Sequence, residues 1–118
     1  ITVNGATLTC GGCAGTPTIS ALASQTASTQ GTEQFGFNLR DNATPNIGTD
    51  PDGAGNSNPD ANYNTVDQYR FVTGDTIAGD TGSEAFRRFH AAYIANIGTD
   101  TDAGAYTATF TYIATATF

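Results

Sequence analysis

From Tyr106 to Phe118 the chain alternates without a slip. The even positions read Tyr106, Ala108, Phe110, Tyr112, Ala114, Ala116 and Phe118; the odd ones read Thr107, Thr109, Thr111, Ile113, Thr115 and Thr117. Period-two alternation of aromatic and β-branched residues marks a strand with one apolar and one polar face. At about 3.3 Å per residue it spans roughly 43 Å, whereas ordinary strands hold about five or six residues. Such a strand either bends across two sheets or projects beyond its own domain. A projecting strand with an apolar face and an unpaired backbone is a means of joining subunits.

The rest of the chain also reads as strands separated by turns. Ile1 to Thr9 has Ile1 and Val3 in one phase and Ala6 and Leu8 in the other, so a bulge is expected near Asn4-Gly5. Cys10 to Gly15 is a glycine-rich turn, and Thr18 to Ser24 a weak strand. Glu33 to Arg40 places Phe35, Phe37 and Leu39 on one face. Val66 to Val72 places Tyr69 and Phe71 inward and Arg70 outward. Asp41 to Asn64 is a long polar loop rich in Gly, Pro, Asn and Asp. Loops of that length are usually functional or flexible. Residues 84–97 admit two readings. Phe86, Phe89, Tyr93 and Ile97 fit a short helix, centred on 84–95; Phe89, Ala91, Tyr93, Ala95 and Ile97 fit a strand. Short strands between turn signals, with no βαβ alternation, predict one all-β domain over 1–118, an antiparallel β-sandwich. The pentapeptide Asn46-Ile47-Gly48-Thr49-Asp50 recurs as Asn96-Ile97-Gly98-Thr99-Asp100, which predicts one turn used twice.

Charge narrows the partners. The net charge is −7, and the cations are Arg40, Arg70, Arg87 and Arg88. Nucleic acid and anionic membrane surfaces are therefore disfavoured, because both need a basic face. No apolar run approaches the ~20 residues of a membrane span. Methionine is absent, so Ile1 is expected to follow a cut, either removal of a secretory signal peptide or trimming of a longer precursor. Secretion to the extracellular space or cell surface is the expectation. Lysine is also absent, so a fibre of this chain could not be joined by lysine isopeptide bonds. Seven Phe and five Tyr must supply most of the core. That core is thin for the length, which leaves stability to be borrowed from neighbouring copies.

Few residues suggest chemistry. Asp50, Asp52, Asn56, Asn58 and Asp60 offer five side-chain oxygens within eleven residues, with Gly53 and Gly55 between them. That spacing resembles a calcium loop, which needs about six to eight oxygens; a solvated turn-rich loop is the simpler reading. Asp100 and Asp102 are a poorer second candidate. Cys10 and Cys13 are expected to form a disulfide across Gly11-Gly12, with pairing between subunits as the alternative. His90 is the only histidine, and no nucleophile–His–carboxylate set can be assigned. Glu33 and Glu84 do not pair as glycosidase carboxylates. No enzyme is expected. Arg87-Arg88 is read as a solvated edge or as a partner for a neighbour's acidic loop. Asn42-Ala43-Thr44 is a formal glycosylation sequon followed by Pro45, so an attached glycan is conceivable.

The ending Ala103-Gly104-Ala105-Tyr106-Thr107-Ala108-Thr109-Phe110-Thr111-Tyr112, with Thr115 to Phe118, resembles the last strand of small secreted bacterial β-sandwich proteins. It is similar to the Ala-Gly-x-Tyr-x-x-x-x-Thr ending of spore-coat-U-type and fimbrial subunits. The resemblance implies an immunoglobulin-like sandwich that polymerises by donor-strand exchange, one subunit's terminal strand completing the next subunit's sheet. The cysteines depart from the fimbrial pattern, which bridges distant strands. On this reading Ile1, Val3, Ala6 and Leu8 form the donated strand (residues 1–9), swinging on the 10–15 turn. Tyr106, Phe110, Tyr112 and Phe118 line the acceptor groove or pair across the interface. The expected function is a structural subunit of a homopolymeric extracellular filament. The alternative is a monomeric carbohydrate-binding or adhesive module, with calcium on Asp50, Asp52, Asn56 and Asp60 and with Tyr63, Tyr69 and Tyr93 stacking on sugars.

Overall fold

Strand-forming alternation becomes strand only where a partner ladder is available. The computed structural model describes residues 1–116 of an all-β chain whose paired strands are all antiparallel. The strands are β1 (Thr2–Gly5), β2 (Gln34–Asn38), β3 (Asn42–Ala43), β4 (Asn46–Ile47), β5 (Asp52–Gly53), β6 (Asn58–Pro59), β7 (Ala78–Gly79), β8 (Arg87–Arg88), β9 (Ala92–Asn96) and β10 (Phe110–Ile113). Ala61–Tyr63 forms one 3₁₀ turn, capped by the Asp60 carboxylate, which accepts from the Asn62 N–H at 2.9 Å.

Hydrogen bonds assemble these pieces into two layers. In the first, β9 pairs with β2, and Phe37 of β2 exchanges both backbone bonds with Arg70, at 3.0 and 3.1 Å. Tyr69 in turn exchanges bonds with Thr26. In the second layer β10 pairs with β1. The other side of β1 bonds to residues 74–77, through Val3 N–H to the Asp75 carbonyl and Ile77 N–H to the Ile1 carbonyl. The β6–β7 pair continues that layer. The shortest dimension of the molecule, 19 Å, fits two sheets about 10 Å apart plus their outer side chains.

Aromatic rings fill the space between. Phe35 stacks on Phe110 at 5.6 Å, Phe71 meets Phe110 edge-on at 5.1 Å, and Phe37 stacks on Tyr63 at 4.9 Å. Val3, Leu39, Ile19 and Ile77 close the cluster. Each such side chain contributes about 1.5–3 kcal/mol on burial. Phe35, Phe37, Leu39, Tyr69 and Phe71, the residues expected to face inward, are all buried, but so are Gln34, Gly36 and Asn38, because β2 is covered on both faces. The bulge is present too. Gly5 faces Phe110 and Thr9 faces Thr107, so four steps along the N-terminal strand oppose three along its partner.

Three expectations are corrected. The continuous strand over 106–118 is not formed: regular pairing covers Phe110–Ile113, with one further bridge at Thr107. Its alternation persists to Phe110, with Tyr106, Ala108 and Phe110 half-buried and the intervening threonines exposed. Beyond Phe110 it runs off the core, leaving Tyr112 and Ile113 exposed at 45% and 49%. The helix considered around 84–95 is absent; β8 and β9 stand there. The long loop 41–64 carries β3 to β6 and the 3₁₀ turn, so it is a built segment.

Besides these short ladders, side chains hold that segment. Asn38 and Asn42 are buried and exchange amide hydrogen bonds at 2.6 and 2.9 Å. The Asn38 amide also donates to the carbonyls of Thr65 and Gln68, and that of Asn42 to those of Arg40 and Ile47. The Asp67 carboxylate accepts from the Ala43 and Thr44 N–H groups, both at 2.9 Å. Buried amides satisfied this fully position a loop that has few apolar residues of its own.

Candidate functional site

The N-terminal strand lies in a slot. It is bonded on one side to residues 107–113 and on the other to 74–77, then to 17–19 through Ile19 N–H to the Leu8 carbonyl and Cys10 N–H to the Pro17 carbonyl. Of the residues expected to act as a donated strand, Val3 is fully buried, Ile1 and Leu8 are half-buried against the core, and Ala6 is exposed at the bulge. The strand therefore occupies a groove in its own chain. The Ile1 ammonium donates to the Ala78 carbonyl at 2.7 Å.

The turn that follows is covalently closed. Cys10 and Cys13 form a disulfide with Cα atoms 5.5 Å apart. Gly104 packs against both sulfurs so closely that a Cβ there would strike them. Gly11, Gly12 and Gly15 have open space where a Cβ would stand, and Gly15 takes the left-handed backbone, with φ 75°.

The residues expected to line the groove sit along one edge. Tyr106 and Phe110 pack against the core, while Tyr112 lies at its rim; Phe118 is outside the described residues. Burial raises the Tyr112 phenol above its ordinary pKa. Beside Tyr112 a groove of about 400 Å³ opens between Ile1, Leu39, Phe86, Phe89 and Ala91. Arg87 and Arg88 border it.

The backbone pattern shows which edges are free. Val3 and Gly5 turn their N–H groups toward 73–75, so both form non-hydrogen-bonded pairs with Tyr112 and Phe110. The N–H and C=O groups of Phe110 and Tyr112 then point away from β1, and no described residue bonds to them. The same holds on β9. Phe35 and Phe37 bond to Ser20 and Arg70, so Ala95 and Tyr93 direct their backbone groups outward. The two free edges adjoin. Tyr93 stacks on Phe110 at 5.7 Å, and the Tyr93 and Tyr112 hydroxyls are in contact. The sequence carried half of this signal, in the alternation around Tyr112. It carried no sign that β9 would lie beside β10.

The candidate calcium residues have other partners. The Asp50 carboxylate accepts from Arg40 Nε at 2.7 Å and from the Asp41 N–H at 2.9 Å. The Arg40 hydrogen bond, more than any other influence, holds Asp50 below the usual carboxylate pKa. Asp52 lies 3.6 Å from Arg88, Asp60 caps the 3₁₀ turn, and the Asn56 N–H donates to Glu84 at 2.6 Å. No group of three or more His, Cys, Asp or Glu side chains placed to hold a metal is found among the described residues. Arg87 and Arg88, read as a solvated edge or as partners of a neighbour's acidic loop, lie on β8, which pairs with β5 of the same chain, Arg88 opposite Asp52.

The tyrosines expected to stack on sugars are divided. Tyr63 and Tyr69 are fully buried and present no ring face; Tyr93 is 38% exposed. The Tyr63 hydroxyl donates to Asp75 at 2.9 Å, and burial together with that carboxylate pushes its pKa to about 12. Asn42 of the sequon is buried with its amide engaged, so the folded chain does not offer it to a glycan. No described helix is long and apolar enough to cross a membrane. No family, curated protein or solved structure matches this chain.

Proposed function

We propose that this chain is a non-enzymatic structural subunit of an extracellular filament, assembled head to tail by donated strands. The observation that carries the reading is the position of residues 1–9. They form a strand that buries Val3, is hydrogen-bonded on both sides, and leaves through an exposed glycine-rich turn. An element with those properties exchanges between identical copies at little cost, because every contact it makes within one chain is remade in the next. The Cys10–Cys13 bridge is local to the turn and survives the exchange. Exchange along one direction does not close, so it propagates as a fibre.

The test is deletion of residues 1–9, followed by negative-stain electron microscopy at micromolar concentration. The full chain forms long fibres that persist in chelator. The truncated chain forms none, and binds a synthetic peptide of residues 1–9 in a one-to-one complex. Only 12.1 kDa particles from the full chain, or fibres from the truncated one, would overturn the reading.

A further inference from the structure

We propose that two copies of this chain also pair edge to edge through β10, antiparallel, about a two-fold axis beside Thr111. The inference does not depend on exchange of residues 1–9; it concerns the opposite side of β10.

The edge is open and unguarded. Phe110 and Tyr112 direct their backbone groups outward with no described partner, and by the same alternation so do Ala108 and Ala114. Natural sheets guard such edges with lysine, proline, inward charges or a bulge. Residues 103–116 contain no proline and no Asp, Glu, Lys or Arg, and the bulge opposite Thr107 lies on the N-terminal strand. Tyr112 and Ile113 stand half exposed there.

Charge selects the occupant. The chain carries −7 overall, with its side-chain charges confined to residues 33–102. Two acidic copies repel least where neither bears charge, and the β10 edge is such a place. The edge is also complementary to itself. With the axis beside Thr111, Phe110 faces the second copy's Tyr112, Thr109 its Ile113, Ala108 its Ala114, and Thr107 its Thr115. Aromatic–aromatic and β-branched pairs are the favourable cross-strand combinations. In this register the outward backbone groups of Ala108, Phe110, Tyr112 and Ala114 all find partners, and β10 becomes an inner strand of a sheet shared by both copies. Thr111 then faces its own counterpart in a non-hydrogen-bonded pair, Cα atoms about 4.5 Å apart.

That register is tested at Thr111, whose side chain is exposed. Thr111→Cys should form a covalent dimer under mild oxidation, because a disulfide accepts Cα separations of about 4.4–6.8 Å. Thr107→Cys, far from its own counterpart, should not. Thr111→Lys and Thr111→Glu each place like charges opposite one another. Each should halve the mass, by light scattering for a soluble chain or by mass per length for a fibre; an equal mixture should restore it. Circular dichroism and thermal melts establish that each variant is folded. Equal cross-linking at both cysteine positions, or an unchanged mass for the lysine and glutamate variants, overturns the proposal. Loss of strand exchange alone would leave dimers, and loss of edge pairing alone would leave single fibres.

Discussion

The two copies of Asn-Ile-Gly-Thr-Asp share every residue and almost no structure. In 46–50, Asn46 and Ile47 form β4 against β3, and Asn46 is exposed. Gly48 adopts the left-handed backbone, with φ 89°. Asp50 is locked to Arg40. In 96–100, Asn96 ends β9 and is half-buried, its amide donating to Ser28 Oγ, Gln34 Oε1 and the Thr29 carbonyl. Ile97 is 62% exposed. Gly98 lacks the left-handed backbone of Gly48 and bridges Gly31 in parallel. The expectation of one turn used twice was therefore wrong. Five residues offer a menu of turns; the partners waiting at 40 and 42, or at 28, 31 and 34, choose among them.

The largest break in this pairing should come at the glycines. A Cβ at Gly48 would strike the Arg40 carbonyl and sit 2.8 Å from the Ala92 Cβ, on a backbone L-residues rarely adopt. Gly48→Ala should cost at least ~2 kcal/mol. At Gly98 the nearest atom, Glu33 Cγ, lies at an ordinary 3.4 Å, and Gly98→Ala should lie within about 0.5 kcal/mol of neutral. Urea midpoints of the two variants check this, and equal losses would show that the loops share a conformation after all.

The asparagines should invert the order. Asn96→Ala leaves the acceptors on Gln34 and Ser28 short of a donor and should cost about 1–3 kcal/mol. Asn46→Ala removes no side-chain bond seen here and should be near neutral. Thermal melts should separate the two by several degrees.

A smaller contrast lies in the acids. The Asp50 carboxyl is lowered in the fold from 3.8. A depressed carboxyl adds stability above its unfolded pKa, and that stability is lost as pH falls through the folded value. Asp50→Asn should therefore destabilise at pH 7 and lose its effect as pH falls below about 3.8. The carboxylate is half exposed, so the effect should stay below ~1 kcal/mol. Denaturant midpoints at pH 7 and pH 3 measure it. The smallest effect belongs to Ile97→Thr, within about 0.5 kcal/mol, against a measurable loss for Ile47→Thr, whose side chain is half-buried.

The candidate site divides along similar lines. The N-terminal strand and its bulge were readable because both are local: Ile1 and Val3 against Ala6 and Leu8, with Gly5 at the slip. The edge at Tyr112 was half readable. Alternation announced a strand, but over-predicted its length, because it reports only that a residue could line a sheet. Regular pairing ends at Ile113, opposite Thr2; where a partner ladder stops is not written in the strand itself. The acidic loop was less readable. Asp50, Asp52 and Asp60 looked free in sequence, yet Arg40, Arg88 and the 3₁₀ turn, all in the same chain, engage them.

Residues 89–97 stand in the opposite phase to the one expected of a strand there, with Ala92 and Ile94 buried and Ala91, Tyr93, Ala95 and Ile97 exposed. The sequence alone determined that this chain is all-β and where the strands within 1–9 and 33–40 lie. Those properties follow from a two-residue period and from β-branched and aromatic side chains, and they need no knowledge of distant residues. Tertiary structure alone decided that β1 would lie against β10, that β9 and β10 would leave two open edges meeting at Tyr93 and Tyr112, and that one pentapeptide would take two shapes. The reason is that a ladder bond and a left-handed glycine are settled by whatever stands opposite. In a mostly non-local β fold, that neighbour is tens of residues away along the chain.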